Sequence, residues 1–72
     1  MEGYTKLTSV EDFIRVFDGI KLDKCQLFRD VEEDTFQPRI TVILNRDGVI
    51  EKWSYTLALA QDVKATGWKP AE

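Results

Sequence analysis

The stretch ITVILNRDGVIEKW, from Ile40 to Trp53, constrains the fold more than any other part of the chain. Apolar residues alternate with polar ones on either side of Asn45-Arg46-Asp47-Gly48. That pattern describes two extended segments reversing at a glycine, which is a β-hairpin. Strands are expected at 39–44 and 49–55.

The turn then decides which way Trp53 points. A type I turn ending in a left-handed Gly48 with a bulge sets Leu44 opposite Ile50 and Thr41 opposite Trp53. Ile40, Val42, Leu44 and Ile50 then form the core face. Trp53, Val49, Thr41 and Ile43 take the opposite face together with Phe28. A two- or four-residue loop instead sets Ile40 opposite Trp53 and carries Trp53 into the core, since a one-residue slip exchanges the two faces of a strand. The bulged turn is favoured, because a two-residue turn centred on Arg46 and Asp47 needs positive φ at both.

Helices flank the strands. Thr8 to Glu11 fits a capping box, and Val10, Phe13, Ile14 and Phe17 follow at helical spacing, so a helix is expected at 9–18, stopped by Gly19. A second helix is expected at 56–66, capped by Ser54 or Thr56 and ended by Gly67, with Trp68 packing back on Val63 and Pro70 barring continuation. Residues 24–31 form a third strand. Cys25, Leu27 and Val31 share one of its faces and Phe28 the other, while Arg29 interrupts the apolar face as edge strands do. The expected fold is a single α+β domain over residues 1–72, in α-β-β-β-α order, with a three-stranded antiparallel sheet packed with two short helices. Residues 1–7 form a short strand or arm, and 69–72 a tail.

The chemistry of most enzymes is missing. With no histidine among the 72 residues, the commonest general base and zinc ligand is absent. Cys25 is the sole cysteine, with no histidine to activate it, so it is read as an inert thiol and no internal disulfide can form. The four glycines are scattered and build no phosphate loop. No catalytic, cofactor-binding or metal-binding residue is expected.

Ten Lys+Arg against 13 Asp+Glu leave a net charge of −3, which disfavours unspecific nucleic-acid binding. The longest apolar run is far too short to span a membrane, and the first residues carry neither a basic start nor an apolar segment, so a cytoplasmic protein is expected. Asp30, Glu32, Glu33 and Asp34 lack the spacing of a calcium loop and are read as a solvated acidic loop. Glu32, Glu33 and Asp34 are expected to meet a basic surface on a partner, with phosphate mimicry as a lesser use.

The α-β-β-β-α order resembles that of the double-stranded RNA-binding domain over nearly the whole chain. The resemblance implies topology only. That family carries a lysine-rich motif at the start of its second helix, whereas here the position reads Tyr55-Thr56-Leu57-Ala58-Leu59-Ala60, with no basic residue before Lys64.

What remains is a small non-catalytic interaction module, an inhibitor, adaptor or regulatory subunit, that binds a larger protein. Chains of this kind often come from a phage or mobile element. The expected contact surface is Phe28, Ile43, Val49 and Trp53, with Lys52 at its border and Glu32, Glu33 and Asp34 nearby; Trp53 is its aromatic anchor. Cover by a helix, or by the N-terminal arm through Tyr4, is the competing expectation for that face. A nucleic-acid-binding regulator using Arg39, Arg46, Lys52 and Trp53 on one sheet face is the alternative function. A homodimer is a further expected form.

Overall fold

The computed structural model describes residues 3–70. Residues 1–2 and 71–72, the ends of the expected arm and tail, lie outside the described residues. The elements are β1 (Thr5–Lys6), α1 (Val10–Phe17), a 3₁₀ turn (Leu22–Lys24), β2 (Gln26–Val31), β3 (Pro38–Arg46), β4 (Val49–Thr56) and α2 (Leu57–Ala65).

Each boundary has a local cause. Ser9 is extended, and its hydroxyl accepts from the Asp12 amide at 3.2 Å, so the N-cap of α1 sits one residue later than the expected Thr8. Glu11 and Asp12 place negative charge in the first turn, where the helix dipole favours it. Thr56 caps α2, its hydroxyl accepting from the Leu59 amide at 3.3 Å. β3 and β4 turn through Asp47 and Gly48, at φ 54° and 85°. Positive φ at both central residues defines a type I′ turn, whose twist matches that of the strands it joins. The Asn45 side chain braces it by accepting from the Gly48 amide at 2.8 Å.

That turn corrects the expected register. Arg46 pairs with Val49, Leu44 with Glu51, Val42 with Trp53 and Ile40 with Tyr55. The loop is Asp47-Gly48, so the bulged turn does not form. Opposed residues of an antiparallel pair project to the same side. Trp53 and Val49 therefore share the face of Val42 and Leu44, while Ile50 joins Ile43 on the other side.

The sheet has four strands in the order β1-β4-β3-β2, and it is mixed because β1 runs parallel to β4. The expected three-stranded antiparallel sheet thus gains a strand. A helix and two further strands separate β1 from β4, which gives the chain ample length for a parallel pairing that no short connection allows.

Both helices lie on one side of the sheet. Phe13, Val16 and Phe17 from α1 and Leu59 and Val63 from α2 close over Val42, Leu44 and Tyr55, with Leu7 beside them. Phe13 is the hub: its ring centroid lies 4.8 Å from Phe17, 4.9 Å from Tyr55 and 5.2 Å from Trp68, the last two edge to face. Trp68, expected against Val63, packs on this ring. The result is a two-layer α+β domain. Among the described residues no helix is long and apolar enough to cross a membrane.

Candidate functional site

The helices cover β3 and β4 but leave β2 bare. Among the described residues β2 pairs only with β3 and forms a free edge of the sheet. Leu27 and Val31 point to the helix side in register with Val42 and Pro38, yet each is about half exposed, as is Phe28 on the other side (50%, 53% and 50%). An edge strand offers unpaired backbone groups, and here apolar side chains flank them on both faces. Leu27 and Val31 lie on the face that was expected to be interrupted, as in an edge strand. Arg29, between them, was the sign that this face is not closed.

The outer face, away from the helices, has an apolar half and a polar half. Ile43 and Lys52 oppose each other there, with Phe28 and exposed Ile50 on the same side. Lys52 Nζ stands 5.7 Å from the centre of the Tyr4 ring, so the N-terminal segment touches this half at its margin.

The polar half is built from two ion pairs. Arg39 binds Asp30 with both forks, Nε to Oδ1 at 2.8 Å and Nη2 to Oδ2 at 2.6 Å. This bidentate bond, above all, lowers the Asp30 carboxyl below the usual range, and the same bond raises Arg39. Lys6 Nζ donates to Glu32 Oε1 at 2.7 Å, and the Thr35 hydroxyl donates to the other oxygen at 3.1 Å. The Lys6 bond is the main cause of a lowered Glu32 carboxyl. Beneath these pairs Thr41 and Ser54 are buried although no helix covers them. The Thr41 hydroxyl has no hydrogen-bond partner among the described residues.

The expected contact residues therefore separate. Phe28, Ile43 and Lys52 share the outer face. Glu32 stands at its polar edge, held by Lys6. Glu33 and Asp34 lie exposed in the turn between β2 and β3. Val49 and Trp53 are on the helix side, Val49 exposed at the hairpin end and Trp53 half-buried against the core. Trp53 Nε1 donates to Glu51 Oε1 at 3.2 Å, and Arg46 Nε stands 2.8 Å from the other Glu51 oxygen, as an ion contact and not an aligned hydrogen bond.

The basic and aromatic residues expected on one face divide in the same way. Arg39 and Lys52 are outside, Arg46 and Trp53 on the helix side, where Arg46 Nη2 donates to the Val16 carbonyl at 2.8 Å. Cys25 is half-buried, and burial, with Asp23 adding to it, raises its thiol above the usual range, which lowers its reactivity.

Arg29 marks β2 as an edge strand from the sequence, but does not single out Leu27 and Val31 as a contact surface. The Lys6 pair has no such signal, because nothing local links it to a carboxylate 26 residues away. Compared with known proteins, the chain matches no family model, no curated protein and no solved structure.

Proposed function

We propose that this chain is a non-catalytic protein-interaction module, an inhibitor, adaptor or regulatory subunit, which docks on a larger protein through the free edge of β2. The observation that carries this is the half exposure of Leu27, Phe28 and Val31 on a strand whose outer edge is unpaired. A partner strand added at that edge gains main-chain hydrogen bonds, and the apolar side chains on either face select which strand fits. Ile43 and Lys52 extend the contact on the outer face. Glu33 and Asp34, exposed in the adjoining turn, favour a partner with a basic rim, chiefly by speeding encounter.

The test is quantitative capture from a cell lysate with the native chain, the Leu27→Lys/Val31→Lys double variant and Val49→Lys as control. Lysine on an edge strand is a natural block to strand addition. All three substitutions fall on half-exposed or more exposed side chains, and amide spectra check each fold. The expected result is a protein retained by the native chain and by Val49→Lys but lost with the double variant. Retention by the double variant removes the β2 edge from recognition.

A further inference from the structure

On the helix side, between α2, the 3₁₀ turn at Leu22 and the segment after α2, a groove of about 360 Å³ opens. Phe13, Tyr55 and Trp68 supply its aromatic walls, and Pro70 lies at its margin. Leu57, Ala60, Gln61 and Lys64 also line it. They are spaced i, i+3, i+4 and i+7, so one face of α2 turns toward the groove while Leu59 turns to the core and Val63 stands between the two. The volume is near the lower end of small-molecule sites, roughly 300–1,000 Å³, which are mostly apolar with a few polar groups.

The polar groups here are few and of one kind. Lys64 is the one charged side chain among the described residues lining the groove. Gln61 stands one turn before it and can donate through its amide. Tyr55 is 5% exposed, and its hydroxyl meets no hydrogen-bonding side chain among the described residues. The site thus offers donors and positive charge, and among the described residues no carboxylate lines it.

We propose that this groove binds a small aromatic carboxylate, its ring resting on Trp68, Leu57 and Ala60 over the packed edges of Phe13 and Tyr55, and its carboxylate on Lys64 with Gln61 donating beside it. Ring edges and faces at right angles suit a flat aromatic guest better than a flexible acyl chain. Lys64 selects an acid over its neutral amide. The groove is separate from the docking of a partner at β2, and either can fail without the other.

The experiment is an amide-spectrum titration of the full chain with three probes: 2-naphthylacetate, its primary amide, and octanoate. The acid is expected to shift the Gln61, Lys64 and Gly67 amides and the Trp68 indole N–H along one saturable curve. The neutral amide should bind about tenfold more weakly, the difference expected for one charge-assisted hydrogen bond. Octanoate should also bind more weakly than naphthylacetate. Lys64→Met, at an exposed position, should abolish the preference for acid over amide and leave the amide's affinity unchanged. Ala60→Leu should fill the groove and remove binding of all three. The proposal is overturned by unsaturable shifts scattered over the surface, by equal binding of acid and amide, by octanoate binding as tightly as the aromatic acid, or by Lys64→Met leaving the preference intact. If Ala60→Leu does not fold, Lys64→Met and the probe series still decide.

Discussion

Lys6 and Glu32 belong to opposite edges of the sheet, yet Lys6 Nζ and Glu32 Oε1 meet at 2.7 Å over its outer face. The pair holds the chain after β2 against β1, the first strand in the sequence. It shelters the buried Thr41 and Ser54 without an apolar layer.

A titration of the carboxyl carbons by NMR should place Glu32 and Asp30 both below the usual carboxylate range. In Lys6→Met, Glu32 should return toward that range, because its main perturbation is the Lys6 bond, while Asp30 stays low on Arg39. A carboxyl lowered in the folded state stabilises the fold above its unfolded value of roughly 4, and that contribution is lost as pH falls through the lower folded value. Lys6→Met should therefore flatten the acid limb of a stability profile. An unchanged Glu32 titration would disprove the pair in solution.

Thr41→Val should stabilise the protein by up to about 1 kcal/mol. The substitution keeps the shape and removes a buried hydroxyl that has no partner. Urea unfolding checks it; a loss of stability would mean that the hydroxyl is hydrogen-bonded.

Trp53→Ala should cost about 2 kcal/mol. That is below the 3–5 kcal/mol typical of a fully enclosed tryptophan, because Trp53 is half-buried. Phe28→Ala, on the open outer side, should cost under about 1 kcal/mol. Equal costs would contradict the placement of the two rings on opposite sides.

The hairpin turn should discriminate sharply between two neighbouring changes. Gly48→Ala meets no atom within 4 Å but must hold φ near 85°, so about 1–2 kcal/mol of backbone strain is expected. Asp47→Asn should be neutral or mildly stabilising, since asparagine accepts the same left-handed conformation. Thermal melts of both variants test this; no loss in Gly48→Ala would argue against the type I′ turn.

Cys25 should alkylate more slowly with iodoacetamide at pH 8 in the folded chain than in urea, because its raised pKa leaves less thiolate. Its Sγ–H points to the Lys21 carbonyl at 3.7 Å, a weak contact, so Cys25→Ala should keep the fold. Faster alkylation when folded would reveal an activating group.

Much of the scaffold was legible because its signals are local. Thr56 as a cap, Gly19 as a stop, and alternation through Ile40, Val42 and Leu44 each need only a few neighbouring residues. The register needed one more step. Treating Asp47-Gly48 as the whole loop, which that dipeptide strongly favours, moves Arg46 into the strand and Trp53 onto the core side. A shift of one residue reassigns every side chain of β4, so the expected patch lost Val49 and Trp53 together while Phe28 and Ile43 stayed. β1 was not legible as a sheet partner. Two residues show no periodicity, and their partners, Trp53 and Ser54, stand at the far end of the sequence. The ion pair of Lys6 inherits that distance.

The parallel pairing of Thr5 with Trp53 also sets an order on events. On a ribosome the first strand emerges early and waits for almost the whole chain before its place in the sheet exists. Phe13 and Phe17 wait with it, since Tyr55, the ring they share, comes from that same late strand. Closing so long a loop costs entropy before contacts repay it, and folds dominated by such distant contacts form slowly. The hairpin of β3 and β4 is the part that can form alone. The protein should therefore assemble from its second half backwards, with the N-terminal helix and strand docking last.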